Sequence, residues 1–552
     1  MRWKQWRVGA ILPAAALVAG VMAALPGSAA ASSAAPSSAR WGLCNAPAHG
    51  ANCVDVSSAY PGAGYDGKYI GHDEPAALFY SDKAGSGNNN TYLLRLPKDP
   101  PTPPSPDGTG GTDNFMLHPA FWFGMALCDT QSFPNTTTNC PADSDANIAT
   151  STDPASPQYL GKHAGTAFME MQFYPPGWVS WPAGNSCTAT QWCAALNIDS
   201  FSSNPAGVNN NSACLSTVGL EYVNFAFITH NGVAQAPANP ADFVGAATPN
   251  LAEDMLMNSG DVLSVHLHDT AAGFQVNIND LTSHQSGSMT ASTANGFAQV
   301  DYQPTASTCT LTPYAFHPMY ATSSPDTRVP WSAHSYNVAF SDEIGHFEYC
   351  GTADTTTGTC TQAGVTEKNG TLDNDDAGCF SAAQSLKYQI TGCTAADNDF
   401  DGPEYAANWP GTGSVGHQVR FDTQPIMFSS PVFNGFHRYS QVAFEADMPR
   451  IEIAAVGGPG PFCNATTGAG CVNPPPGASF YPFFTTRHGP FGLGCVWQLG
   501  GANIPGTQNT FGGSSVTEYG SLLALSYPTV VNGQPQAQNR FEDFRQIVSN
   551  PC

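Results

Sequence analysis

Charge is scarce in this 552-residue chain: Asp, Glu, Lys and Arg together make up 11% of it, with 18 basic against 42 acidic side chains. A net charge of −24 carried on so few cations cannot neutralise a phosphate backbone, which excludes a nucleic-acid partner. No C-x-x-C pair occurs, so the usual zinc-cluster and dithiol-redox spacings are missing. There is no G-x-S-x-G elbow, no H-E-x-x-H and no Walker loop. Beyond residue 31 no apolar run reaches the length of a membrane span. Long helical periodicities are equally rare, and only Phe541–Val548, with Phe541, Phe544, Ile547 and Val548 on one face, reads as a helix.

What is present points outward. Arg2, Lys4 and Arg7 precede an apolar run from Val8 to Leu25, and Ala29 and Ala31 stand at the −3 and −1 places of an A-x-A cleavage site. That order predicts a signal peptide over 1–31 and a secreted, extracellular product with no membrane insertion after cleavage. Losing three cations and no acid takes the net charge from −24 to −27. All 16 cysteines follow residue 31, an even set that predicts a disulfide framework. Nearest-neighbour pairing gives Cys44–Cys53, Cys128–Cys140, Cys187–Cys193, Cys379–Cys393 and Cys463–Cys471. Cys214–Cys309, Cys350–Cys360 and Cys495–Cys552 complete the set by remainder.

Strand signals dominate the rest. Ala167–Phe173 alternates in period two, as do Val262–His268 and Phe274–Ile278, two arms of a hairpin turning at Thr270-Ala271-Ala272-Gly273. Leu220–Thr229, Tyr336–Phe340, Gln441–Phe444 and Arg450–Ala454 are further strand-like runs. The expectation is an all-β, disulfide-rich sandwich of concanavalin or jelly-roll type with few helices. Its domains would be a β-sandwich over 32–350, an acidic disulfide-bound insertion over 351–415 and a smaller β region over 416–552.

Three constellations could carry chemistry. Asp397-Asn398-Asp399-Phe400-Asp401-Gly402 sets carboxylates at positions one, three and five with Gly at six, a turn that suits a hard cation. Asn408 stands where an EF-hand has its bidentate Glu, and Asp373 and Asp375 begin a poorer second copy. Structural calcium is the expected cofactor; a solvated acidic turn is the alternative. His266 and His268 share one face of a strand and could offer two imidazoles to a transition metal, with His346 and Glu348 as distant further ligands. Against this, Thr270 to Gly273 occupy the place of a cupin's Glu, and polar residues on a wet sheet face read the same way.

The third constellation centres on Glu170, which shares a strand face with Gln172. Glycoside hydrolysis needs two carboxyl groups in different protonation states. The place four residues on is Tyr174, so the partner must come from another strand; Asp199 is the first choice, with Glu221, Glu343 and Glu348 competing. Trp178, Trp181 and Trp192, near Tyr159 and Phe173, could stack on sugar rings or simply close the end of a sandwich.

The hairpin Val262–Ile278 resembles the sandwich strands of laminin-G and concanavalin-like domains. His163–Trp181, Arg328–Phe340, Asp399–Gly402 and Cys495–Gly501 resemble stretches of a group of large secreted proteins of high-GC Gram-positive bacteria. That resemblance implies export and assigns no catalytic residue. The expected function is a secreted carbohydrate-active protein that binds or hydrolyses a polysaccharide or cell-wall polymer. Its alternatives are a calcium-stabilised adhesion protein and a metal-dependent enzyme built on His266 and His268.

Overall fold

The computed structural model describes residues 53–55, 76–98, 121–132, 165–174, 187–202, 208–319, 338–342, 347–354, 359–363, 388–390, 426–445, 484–488, 495–499, 523–531, 534–542 and 544–552, with positions 82, 84 and 189 excepted. In chain order the strands begin β1 (Cys53–Asp55), β2 (Ala76–Tyr80), β3 (Asn89–Arg95), β4 (Phe121–Asp129), β5 (Gly165–Tyr174) and β6 (Gln191–Phe201). After a short helix α1 (Ser212–Thr217) come β7 (Glu221–Phe227), helix α2 (Phe243–Ala246), β8 (Met257–Asn258), β9 (Val262–Thr270), β10 (Gly273–Asp280) and β11 (Ser286–Thr290). Then follow β12 (Ala298–Val300), β13 (Leu311–Pro313), β14 (Val338–Asp342), β15 (Phe347–Asp354), β16 (Thr359–Ala363) and β17 (Tyr388–Ile390). The last are β18 (Met427–Ser429), β19 (Val432–Phe433), β20 (His437–Arg438), β21 (Gln441–Glu445), β22 (Phe484–His488), β23 (Cys495–Leu499), β24 (Leu523–Val531), β25 (Gln534–Glu542) and β26 (Phe544–Ser549). No helix among the described residues is long and apolar enough to cross a membrane.

Two nine-stranded sheets make the sandwich. One runs β26-β21-β2-β14-β4-β5-β6-β7, with β8 attached to β6; the other runs β11-β10-β9-β3-β18-β23-β22, with β19 and β20 attached through β3. Every pairing recorded within them is antiparallel, which permits one face packed and one face free. Period-two alternation supplies the packed face. Met169, Met171 and Phe173 from β5 meet Leu263, Val265 and Leu267 from β9 and Val276 and Ile278 from β10 in one buried cluster. Aromatic rings stitch the layers together: Phe79 of the first sheet lies 6.3 Å from Tyr92, 6.3 Å from Phe428 and 6.0 Å from Trp497 of the second. Burying a ring of this size contributes about 1.5–3 kcal/mol, so this seam adds to the cohesion between the sheets.

The hairpin at Val262–Ile278 forms as its alternation predicts, β9 pairing β10 with Thr270 opposite Gly273 and Ala271-Ala272 as the turn. Gly273 has φ +134, and a Cβ there would press on the backbone carbonyl of Ala291, so glycine is required. The segment Phe541–Val548 is not a helix. It contains the end of β25 and most of β26, and β26 pairs with β21 through Val548 opposite Val442 and Ile547 opposite Ala443. A long-range ladder decides its conformation over a local helical spacing.

Strands after residue 415 do not stand apart. Strands β18, β22 and β23 extend the sheet of β3 and β9, while β21 and β26 extend the sheet of β2 and β4. Smaller β elements lie outside both sheets: β1-β24-β25, β16-β15-β17 and the pair β12-β13. Three of the anticipated disulfides close, Cys187–Cys193, Cys214–Cys309 and Cys495–Cys552, and Cys128 is also disulfide-bonded. The last of the three joins β23 of one sheet to a residue just past β26 of the other. The remaining anticipated pairs include cysteines outside the described residues.

Candidate active site

The candidate site lies on the outer face of the first sheet, across β4, β5, β6 and β7. On β5 the parity that sends Met169, Met171 and Phe173 inward turns Phe168, Glu170, Gln172 and Tyr174 outward. Pairing places Glu170 opposite Asn197 and Phe168 opposite Asp199, so Asp199 sits diagonally from Glu170 on the neighbouring strand. Asp199 in turn pairs with Val223, and Glu221, two residues along β7 on the same face, is the next diagonal neighbour. Glu170, Asp199 and Glu221 thus run obliquely across three strands. The partner chosen on sequence and the first of its competitors both share a face with Glu170.

Around Glu170 and Asp199 this outer face is closed to solvent, while Glu221 at its margin is half-buried. Glu170 is 2% exposed and Asp199 5%, and Gln172 and Asn197 are buried beside them. Facing Glu170 across β4 is Gly124, where a Cβ would collide with the ring of Trp122. A small residue is needed there so that the indole can lie along the strand. At the other end Tyr174, Phe225 and Phe227 form an apolar cluster with the Cys187–Cys193 disulfide and Phe243 of α2.

A directed hydrogen-bond chain leads to Glu170. Asn197 Nδ2 donates to Tyr174 Oη at 3.3 Å, Tyr174 Oη donates to Gln172 Oε1 at 2.5 Å, and Gln172 Nε2 donates to Glu170 Oε2 at 2.6 Å. Each side chain accepts from one neighbour and passes a donor to the next, so the chain polarises in one sense. Its terminus is a carboxylate oxygen that accepts. Tyr174, four residues after Glu170, orients the Gln172 amide.

The other two carboxyls behave differently. Burial pushes Asp199 well above the usual carboxylate range, and the neighbouring Glu221 charge pushes it further. Glu221 is raised well up by burial and by the charge of Glu170, and its Oε2 is buried with no hydrogen-bond partner. Three carboxyls this close in a poorly solvated place cannot all ionise. The set therefore resists full ionisation while Glu170 presents an accepting oxygen, a combination suited to general acid–base work.

Other anticipated residues are placed elsewhere. Trp192 is a core residue: it shares parity with Ala194, Leu196 and Ile198, packs 5.6 Å from Phe121, and donates Nε1 to Ser259 Oγ at 3.0 Å. It is 1% exposed and offers no ring to a ligand from outside. Trp178, Trp181, Asp373, Asp375, Asp397, Asp399 and Asp401 lie outside the described residues, as do Glu343 and His346. His266 and His268 occupy the outer face of the second sheet, stacked with ring centroids 4.2 Å apart and planes 7° from parallel. Glu348 is on β15, which belongs to the sheet β16-β15-β17 and does not pair with β9. No group of three or more His, Cys, Asp or Glu side chains arranged to hold a metal occurs among the described residues. In a parallel stack the ring lone pairs lie in separate planes, so the two imidazoles do not converge on one ion as they stand.

The residues that the sequence did not single out here are Trp122 and Tyr174 as parts of the site. An aromatic two residues before a strand glycine, Trp122-Phe123-Gly124, is the available signal for the first.

No protein-family model matches the chain, and no curated protein is significantly similar to it. Among solved structures, the enzymatically active domain of bacteriophage CBA120 tailspike protein 2 overlaps 58% of this chain at 10% identity with a TM-score of 0.16. The overlap spans 28% of that chain's own length. Overlap at that level is too slight to imply a common fold or a common activity.

Proposed function

We propose that the chain is an exported carbohydrate-active protein in which Glu170 and Asp199 act on a glycosidic bond of an extracellular polysaccharide. The observation that carries this reading is the contrast on one sheet face between Glu170, which accepts the Gln172 amide, and Asp199, whose carboxyl is pushed well above the usual range by burial and by the Glu221 charge. Asp199 would protonate the leaving oxygen, and Glu170 would serve as nucleophile or as base toward water. Glu221 would keep the proton on Asp199. Both working carboxyls are buried, so the reaction requires this face to open to substrate. Disulfides and a surplus of acids with few cations support an oxidising, extracellular setting.

The test is a panel of plant, fungal and bacterial cell-wall polymers incubated with the protein and calcium, scored for released sugars. Release from at least one polymer, reduced about 10²- to 10⁴-fold by Glu170→Gln, is the expected result. No release, or release untouched by the substitution, overturns the assignment.

The burial of Glu170 and Asp199 also favours a second reading, an adhesion protein in which the carboxyl cluster is structural. Pulldown on a polymer with no product, and a Glu170→Gln variant at least as stable as the wild type, would select it. In either reading calcium at Asp397, Asp399 and Asp401, and less completely at Asp373 and Asp375, is part of the proposal. A chelator should then lower the melting temperature, because an ion bound only by the folded state stabilises it; an unchanged value rejects the ion.

A further inference from the structure

The opposite side of the sandwich carries a second surface with a different chemistry. On the outer face of β3, β9, β10 and β11 the registers align twelve positions in three rows: Asn89–His268–Gln275–Thr290, Thr91–His266–Asn277–Ser288 and Leu93–Ser264–Asn279–Ser286. Four are amides, five hydroxyls, two imidazoles and one leucine. In a protein of net charge −24 this grid holds no carboxylate and no cation, and all twelve side chains are half-buried or exposed.

The grid is partly organised already. His266 Nε2 meets Asn89 Oδ1 at 2.9 Å, Gln275 Nε2 donates to Thr290 Oγ1 at 2.8 Å, and Asn277 Nδ2 donates to Gln275 Oε1 at 3.2 Å. His266 and His268 turn their flat faces to one another, and the Nδ1 of His268 is buried with no partner. Amides, hydroxyls and neutral imidazoles both donate and accept, at intervals fixed by a rigid sheet. Such a surface matches a ligand that also presents dense, uncharged donors and acceptors. Within these three rows an anionic polymer would find no cation, a metal ion no carboxylate, and a protein partner no aromatic or arginine anchor; Arg95, at the end of β3 opposite Val262, stands on the same face just beyond them.

We propose that this grid is a binding platform for an uncharged polysaccharide, centred on His266, His268, Gln275 and Asn277. It rests on the carbohydrate reading above but is a separate site. It lies on the second sheet, across the core from Glu170, and would hold the protein on its polymer rather than feed the carboxyls.

Affinity electrophoresis of the full chain tests it, in gels containing hydroxyethylcellulose, arabinoxylan, galactomannan or laminarin, against alginate and polygalacturonate. Retardation by at least one neutral polymer and by neither anionic one is expected. The doubles His266→Ala/His268→Ala and Gln275→Ala/Asn277→Ala should each weaken it at least tenfold with the melting curve retained. No retardation by any neutral polymer, or retardation that both doubles keep, overturns the platform. Should a double fail to fold, the wild type still decides: oligosaccharides of the retarding polymer must slow diethyl pyrocarbonate modification of His266 and His268, and unprotected rings count against the site. The two proposals fail separately. Sugar release without retardation removes the platform and keeps the catalytic reading, whereas retardation without release does the reverse.

Discussion

Gln172 donates its side-chain amide to Oε2 of Glu170 at 2.6 Å while accepting the Tyr174 hydroxyl on its other end, so one amide orientation serves both neighbours. Gln172→Leu removes both bonds in a buried place. We expect a loss of about 1–3 kcal/mol in urea unfolding. Tyr174→Phe deletes only the far link and should cost less, with released sugar, where measured, falling less than for Gln172→Leu. If the two substitutions were equal in both readouts, the chain would not be directed toward Glu170.

Trp192 separates core from ligand contact. Because it fills the interior beside Phe121, Trp192→Ala should destabilise the fold by about 3–5 kcal/mol. Trp192→Phe, which retains most of the ring and gives up the bond to Ser259, should cost about 1–2 kcal/mol and leave polymer retardation unchanged. Weakened retardation in a stably folded Trp192→Phe protein would contradict its placement in the core.

These residues also mark how far the sequence could be read. The face shared by Glu170, Gln172 and Tyr174 was legible because strand parity is local, and the same parity places Asn197 beside Asp199. Which strands stand side by side is not local, so sequence alone offers Asp199 as first choice with Glu221 among its competitors, and the β5-β6-β7 order places both on the face of Glu170. Trp192 lies near a Pro- and Trp-rich stretch in sequence, yet its parity with Ala194 and Leu196 puts it in the core. Phe541–Val548 satisfies a helical spacing only if read across Asp543, between β25 and β26, where the strand pattern restarts. Long-range pairing is equally invisible in sequence for 416–552: β22 and β23 pair locally, yet β18 and β21 join sheets begun some 350 residues earlier, at β3 and β2.

The Cys495–Cys552 bridge should matter more than its place in the chain implies. It closes a separation of 57 residues and ties the two sheets at their margins, next to Asn550, whose Nδ2 donates to Ser430 Oγ at 2.9 Å and to the Tyr439 carbonyl at 3.1 Å. Restricting the unfolded chain over a loop of this size is worth about 4 kcal/mol. Cys495→Ser/Cys552→Ser should lower stability by about 3–4 kcal/mol and raise the hydrogen exchange of β21 and β23 ahead of β9 and β10. Uniform loosening of all four strands would show that the bridge acts on the whole sandwich rather than on this margin.

Asp254 gives a pH dependence whose sign can be worked out. Burial raises its carboxyl to about 6, the Asn250 amide donating to Oδ2 at 2.8 Å only partly offsets this, and Oδ1 is buried with no partner. A carboxyl whose folded pKa lies above its unfolded value binds more protons in the folded state. Its contribution is therefore fully present below the unfolded value of 3.8 and is lost as pH rises to about 6. Asp199 and Glu221, also raised by burial, act in the same sense. Asp254→Asn keeps an acceptor for the Asn250 amide and removes the charge, so it should stabilise the protein at pH 7.5 by about 1–2 kcal/mol and leave it unchanged near pH 3.5. Urea unfolding of both proteins between those limits measures the difference. A gap that stays constant across the range, or widens toward low pH, would place the raised carboxyl somewhere other than Asp254.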